Sequence, residues 1–212
     1  MNKYFLDFGT NLGQGLEAIS DIEKFDKDVE VHSFEANPFI FQKINFKPNI
    51  NYYNIAVSEF NGFFEFNIDG DGGGGSTLLP LDLWNPEQTY GWKEGERHTR
   101  YTNVKVPSMS ISNILETLLP EKEEKSIIAK FDVEGAEYGI FQELKDTNNF
   151  RWFSKIYVEF HDRIIGHTTQ YGAVVARRHK GKITRGRVPF SKISLEWMNH
   201  FDNTGIEAII WD

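Results

Sequence analysis

Four groups of polar side chains sit where short apolar runs end, and their types describe a site built from carboxylates, amides and one imidazole. Asp7 follows Tyr4-Phe5-Leu6 and opens the stretch Asp7-Phe8-Gly9-Thr10-Asn11-Leu12-Gly13-Gln14-Gly15. Glu35, with Ala36 and Asn37 behind it, closes Val29-Glu30-Val31-His32-Ser33-Phe34, 22 residues after Gly13. Asp132 ends the apolar run Ser126 to Phe131 and leads into Val133-Glu134-Gly135-Ala136-Glu137. Glu159, His161 and Asp162 come at the end of the run that begins at Lys155. Such groups accept hydrogen bonds from ligand hydroxyls, move protons or ligate metal ions.

The first group reads as a strand running into a glycine-rich turn that opens a helix, where nucleotide cofactors bind. Glycine lets the backbone approach a ligand and take positive φ, and the first N–H groups of the helix lack intrahelical partners. An acid roughly 20 residues further on, at the tip of the second strand, is placed to accept hydrogen bonds from ribose hydroxyls. The spacing here is G-x-x-x-G-x-G instead of the G-x-G-x-x-G of dinucleotide sites, and Asp7 stands just before the first glycine. A carboxylate there repels a pyrophosphate, because like charges at close range are costly once desolvated. It suits S-adenosylmethionine, which has no phosphate and presents an ammonium, a sulfonium and ribose hydroxyls. A plain strand-to-helix connection explains the glycines but not the two acids. Asp7, Gly9, Thr10, Asn11, Gly13, Glu35, Ala36 and Asn37 are therefore expected to bind S-adenosylmethionine.

At 212 residues the chain is expected to form one domain, residues 1–212, with ample aromatic area for a core from its 18 Phe, 8 Tyr and 5 Trp. Cysteine is absent, so no disulfide or thiolate metal site exists. No signal-peptide core and no apolar run of membrane-spanning length is found, and a cytoplasmic protein is expected. The net charge of −8 is uneven: six cations and no acid lie between Arg177 and Arg187, leaving 17 Lys and Arg against 31 Asp and Glu elsewhere. An acidic body with one basic patch argues against a nucleic-acid partner.

The elements that position these groups alternate. A helix is predicted over Gly13 to Lys24, a short helix opened by Pro38, and a strand over Ile50 to Asn54, an order that implies parallel pairing with right-handed crossovers. Phe63 to Ile68 alternates like a half-exposed strand and is expected to pair with Thr102 to Val106. A helix capped by Ser112 or Asn113 runs to Leu119, before Pro120. Then come a strand over Ser126 to Phe131, a helix over Ala136 to Leu144, a strand over Lys155 to Phe160 and a helix over Ser191 to Phe201. A terminal strand over Ile206 to Trp211 is expected to run antiparallel at the sheet edge. The fold class is α/β: a doubly wound, mostly parallel sheet with an antiparallel edge strand, whose ligands bind outside the carboxyl ends of the strands. Asp132 at a strand tip points into that cleft, whereas Glu134 and Glu137 read as acids complementing a helix dipole. The insertion 69–101, with Gly72 to Gly75, is expected to cap the site. The basic run belongs to a substrate-side loop region, residues 162–190.

DFGTNLGQG (7–15), FEANP (34–38), NIAV (54–57), GGGGSTLL (72–79), AKFDVEGAE (129–137) and YVEFH (157–161) together resemble the FkbM-type methyltransferases. The resemblance implies a Rossmann-like class I methyltransferase sheet and transfer of a methyl group from S-adenosylmethionine to an oxygen, often a sugar hydroxyl of a glycan. By position, Asp7, Gly9, Asn11 and Gly13 would line the methionine and ribose, Glu35 would hold the ribose hydroxyls, Asn54, Ile55 and Ala56 would border the adenine, and Asp132 would face the transferred methyl. One departure is Ile111-Ser112-Asn113-Ile114, where family members commonly have L-D-D-L. A sugar hydroxyl is a weak acid and needs a base or a metal. Asp132, Glu159 and His161 form the expected catalytic set, either as base and partners or as ligands of Mg²⁺ or Mn²⁺. Trp84 and Trp92 would stack on sugar rings, and Arg97 and Arg100 would supply hydrogen bonds. An RNA or small-molecule methyltransferase, or a non-catalytic partner subunit that binds S-adenosylmethionine, are the competing readings.

Overall fold

The computed structural model describes residues 3–25, 27–69, 76–78, 101–162, 171–179 and 182–211. Eight strands form one sheet. Those of its first half are β1 (Tyr4–Phe8), β2 (Glu30–Phe34) and β3 (Ile50–Tyr53). Three more, β4 (Ala56–Ser58), β5 (Gly62–Asp69) and β6 (Tyr101–Ser110), form a separate small sheet in the order β4-β6-β5. The main sheet is completed by β7 (Ile127–Phe131), β8 (Phe153–Val158), β9 (Tyr171–His179), β10 (Lys182–Phe190) and β11 (Glu207–Ile210). Its order is β10-β9-β11-β8-β7-β1-β2-β3.

β1 is buried at every position and pairs parallel with β2 on one side and β7 on the other. A strand covered on both faces is apolar throughout, which explains why the sequence around β1 and β7 lacks alternation. Helix α1 (Gln14–Glu23) packs Leu16 and Ile19 with Phe5, Ile128 and Tyr157 on one face. Helices α3 (Ile111–Leu118), α4 (Glu137–Asp146) and α5 (Lys192–Asn203) cover the other, bringing Ile114, Phe141 and Phe201 onto Leu6, Phe131 and Ile156. The centre of this layer is aromatic: Phe141 meets Phe131 at 5.0 Å and Phe201 at 5.2 Å between ring centroids, both edge-on. Full burial of one such ring contributes roughly 1.5–3 kcal/mol. The fold is Rossmann-like and doubly wound, as expected. The short helix α2 (Pro38–Phe41) starts at Pro38, with the Asn37 side chain accepting the free N–H groups of Phe39 and Ile40. β5 pairs with β6, as expected, and does so antiparallel.

Three expectations are corrected. The terminal strand β11 lies inside the sheet, parallel to both β8 and β9, and the antiparallel edge strand is β10. The basic run is not a loop: most of 171–190 forms the hairpin of β9 and β10 in full register. On β10 the side chains of Lys182, Thr184, Arg185 and Arg187 project outward, as suits a charged edge strand that resists pairing with other chains. Arg178 lays its guanidinium over the Trp211 ring, 4.3 Å from the centroid, so the run packs by its stems as well as carrying charge. Helix α3 takes its cap from Ser110, whose hydroxyl accepts the Asn113 N–H, not from Ser112 or Asn113. Among the described residues no helix is long and apolar enough to cross a membrane.

Candidate functional site at the strand tips

The strand order reverses between β1 and β7, since β2 and β3 lie on one side of that pair and β8 on the other. At such a switch point the connections diverge and leave a cleft beyond the carboxyl ends of the strands. Backbone hydrogen bonds bind the four tips together: Gly9 and Thr10 donate to the Phe34 carbonyl at 3.1 and 3.0 Å, Asp132 donates to Phe8 at 3.1 Å, and Glu159 donates to Phe131 at 3.0 Å. Gly9 has φ +80°, and a Cβ there would overlap the carbonyl oxygen of Asp132, so a side chain at position 9 would force the two turns apart. Gly13, at φ +97° with open space around it, is needed for its left-handed conformation alone, as the cap residue of α1.

Lys130 is the hub of this end. It is 1% exposed, and its Nζ donates to the Gly9 carbonyl at 2.8 Å and pairs with Asp132 Oδ2 at 3.0 Å and Asp7 Oδ1 at 3.5 Å. A Cβ on Gly15 would come 2.6 Å from Lys130 Cε, so the missing side chain at 15 makes room for the lysine. Burial opposes the charge on Lys130, but the carboxylates of Asp132 and Asp7 outweigh it and hold the ammonium above its ordinary pKa. Asp7 is fully buried, accepts the Thr10 hydroxyl at 2.6 Å and is not part of the cleft wall. The expectation that Asp7 itself meets a cationic ligand is therefore corrected: Lys130 neutralises it, and the acids that face the cleft are Glu35, Asp132 and Glu134.

The cleft encloses about 90 Å³, less than the roughly 300–1,000 Å³ typical of small-molecule sites. Its polar side is formed by Gly9, Asn11, Glu35, Asp132 and Glu134, and its apolar side by Ile40, Ile55, Ala56, Val57, Phe66 and Leu78. Glu35 Oε2 accepts the Asn11 N–H at 2.8 Å, and Oε1 accepts the Asn37 N–H at 2.7 Å. These bonds fix the carboxylate and leave each oxygen a further lone pair for a ligand hydroxyl. Burial pushes the Glu35 carboxyl up, against the pull of the two backbone donors. Ala36 also lines the cleft. Asn37 and Asn54 support the turn instead of facing the cleft: Asn37 caps α2, and Asn54 Nδ2 donates to the carbonyls of Glu35 at 2.8 Å and Ala36 at 3.4 Å. Ser76 and Leu78 reach the cleft because Thr77 pairs with Asn67 of β5 and its hydroxyl donates to the Glu134 carbonyl at 2.6 Å.

Behind Asp132 and Glu134, outside the residues that line the cleft, lies His161. Its Nδ1 bonds Glu137 Oε1, and its Nε2 lies 3.4 Å from Glu134 Oε2 and 3.9 Å from both Asp132 Oδ1 and Glu159 Oε1. Burial disfavours the imidazolium, but the Glu137 and Glu134 carboxylates raise the His161 pKa well above its ordinary value. Burial pushes the Glu134 carboxyl up to about 8, opposed by His161 and reinforced by Asp132, Glu137 and Glu159. Glu159 is likewise raised by burial and by Asp132. The expected set Asp132, Glu159 and His161 is thus brought together, with Glu134 closer to the ring than Glu159. Glu137 stands in the first turn of α4, as expected, and is also fully buried against His161. Asp162 belongs elsewhere: it accepts hydrogen bonds from Tyr138, Ser191 and Ser194 and fastens the start of α5. Trp84, Trp92, Arg97 and Arg100 lie outside the described residues. Sequence reasoning missed Lys130 and Glu134. The available signal was a lysine inside an otherwise apolar buried strand, paired with a glycine at 15 where the helix did not demand one.

A family model described as the methyltransferase FkbM domain matches residues 7–178. No curated protein and no solved structure matches the chain. The matched span begins at the β1 tip and takes in Glu35, Asp132 and His161, and so covers every strand tip that builds the cleft. On this match and this geometry, the chain belongs to the FkbM methyltransferase family.

Proposed function

We propose that the protein transfers a methyl group from S-adenosylmethionine to a hydroxyl oxygen of a sugar or glycan. The observation that carries the cofactor reading is the charge of the cleft wall: Glu35, Asp132 and Glu134 line it, and no lysine or arginine does among the described residues. A phosphate-bearing cofactor would meet the acids Glu35 and Asp132 there with no lysine or arginine on the wall to receive it, whereas a sulfonium and an ammonium are attracted by them. Glu35, fixed by Asn11 and Asn37, has free lone pairs for ribose hydroxyls, and the wall from Ile55 to Val57 with Ile40 and Leu78 suits an adenine ring. S-adenosylmethionine supplies an electrophilic methyl group, so the protein's own work is to hold an acceptor oxygen in line with it and to take up a proton.

Asp132, Glu134 and His161 form the polar end at which the acceptor hydroxyl is held. A carboxyl pushed up to about 8, as Glu134 is, accepts a proton most effectively near neutral to mildly alkaline pH. Lys130 holds the Asp132 side chain from behind at 3.0 Å. The sugar acceptor rests on the family resemblance and on Trp84, Trp92, Arg97 and Arg100 as acceptor-side groups. The test is mass spectrometry of candidate glycans incubated with protein and S-adenosylmethionine. A single methyl increment on a carbohydrate supports the reading. Methyl transfer to RNA or to a small aromatic molecule instead of sugar would replace the acceptor class, and cofactor binding with no acceptor at all would leave a non-catalytic binding subunit.

A further inference from the structure

Four acids, Asp132, Glu134, Glu137 and Glu159, surround the His161 ring. Asp132, Glu134 and His161 each present one ligand atom, two oxygens and a nitrogen, all within 4.8 Å of one another. The imidazole is held by a bond from Nδ1 to Glu137, which directs Nε2 toward the acids. That is the arrangement of a metal-ligating histidine whose second nitrogen is fixed by a carboxylate. Glu137 is fully buried, and its other oxygen, Oε2, has no hydrogen-bond partner. A buried carboxylate oxygen without a donor is costly, and a nearby cation relieves that cost. Lys130 is already engaged by Asp132, Asp7 and the Gly9 carbonyl.

We propose that Asp132, Glu134 and His161 Nε2 form a binding site for one divalent cation of the manganese type, with Glu137 as the residue that orients His161. Two carboxylate oxygens and one imidazole suit Mn²⁺, and three protein ligands leave positions open for water or for an acceptor hydroxyl. Glu159, with its side chain 41% exposed at 3.9 Å from Nε2, stands at the rim of the site. This deepens the proposed function, because the cation sits where that reading holds the acceptor hydroxyl.

The test uses the full chain stripped with a chelator, without cofactor or acceptor, and Mn²⁺ titration with free ion read by electron paramagnetic resonance. One Mn²⁺ per chain is expected. Glu134→Gln and Asp132→Asn should each weaken binding at least tenfold, and Glu137→Gln, which removes no ligand, by about 10–100-fold. Glu207→Gln, on exposed β11 surface, should bind as the parent does. Imidazole ¹⁵N spectra should show the His161 Nε2 signal broadened by Mn²⁺ while Nδ1 keeps its proton. No Mn²⁺ binding, or binding that these substitutions leave unchanged, overturns the proposal. If Asp132→Asn fails to fold by circular dichroism, the isosteric Glu134→Gln decides alone. Calorimetry with S-adenosylmethionine in excess chelator separates the two readings: cofactor binding without Mn²⁺ binding refutes only the metal site, and Mn²⁺ binding without cofactor binding refutes only the proposed function.

Discussion

Replacing Lys130 with methionine keeps most of the side-chain volume and removes the charge that faces two carboxylates. Asp7 has no exposure of its own, and Lys130 is its cationic partner at 3.5 Å, with Asp132 at 3.0 Å on the other side. At an effective dielectric of about 20, each contact is worth roughly 5 kcal/mol of Coulomb energy. Most of that is offset by the desolvation of the ammonium, which disappears with the charge. The lost hydrogen bond to the Gly9 carbonyl, 2.8 Å long, adds about 1 kcal/mol. What remains is the penalty of a buried carboxylate without a partner, and the net loss on breaking such a pair is about 3–5 kcal/mol. For a chain of this size that lowers Tm by roughly 6–20 °C. Urea unfolding at neutral pH measures the loss directly. Adding Asp7→Asn to Lys130→Met removes the stranded charge and should restore at least about 1 kcal/mol, a coupling that only neighbouring groups show. A single variant within about 0.5 kcal/mol of the parent, or strictly additive losses in the double variant, would refute the account of Lys130 as the hub.

Two glycines of the first turn should respond differently to alanine. Gly13→Ala meets only the left-handed backbone penalty, about 1–2 kcal/mol, whereas Gly9→Ala also overlaps the Asp132 carbonyl and should cost distinctly more, on the order of 3 kcal/mol or above, by chemical denaturation. In metal-free protein, the raised carboxyl of Glu134, at about 8, gives stability that is full below its unfolded pKa of about 4.3 and falls progressively as pH rises to the folded value. His161, also raised, acts with the same sign above its unfolded value of about 6.5. Unfolding free energies from mildly acidic to pH 8 should therefore decline less steeply in Glu134→Gln than in the parent, and equal slopes would contradict this.

What the sequence reveals here is what is encoded locally. The runs at Tyr4 to Phe8 and Ile127 to Phe131 are continuous and apolar, so their strands and the tips at Gly9 and Asp132 are readable from neighbours alone. The turn at Glu35 is readable because the acid closes an apolar run at a fixed distance from the glycines. Lys130 was not legible as a hub, because its partners Asp7 and Gly9, at the end of β1 and in the turn after it, lie more than a hundred residues away in the chain. Glu137 looked like an acid of a first helical turn, since nothing local reveals that His161 lies over it. The hairpin of β9 and β10 hid behind its charge: arginines on an edge strand read as a solvated loop, although their stems pack, as Arg178 does on Trp211. The place of β11 between β8 and β9 is a matter of sheet order, which pairing of distant segments decides and apolar periodicity does not.

The central claim is that an acidic, phosphate-free cleft takes S-adenosylmethionine with Glu35 on its ribose. Isothermal titration of S-adenosylmethionine into the full chain, beside Glu35→Ala, tests it most directly. The account predicts one site per chain in the parent and a loss of about 10–100-fold in the variant, the worth of one or two hydrogen bonds to a charged group. No binding by the parent, or equal binding by parent and variant, contradicts it.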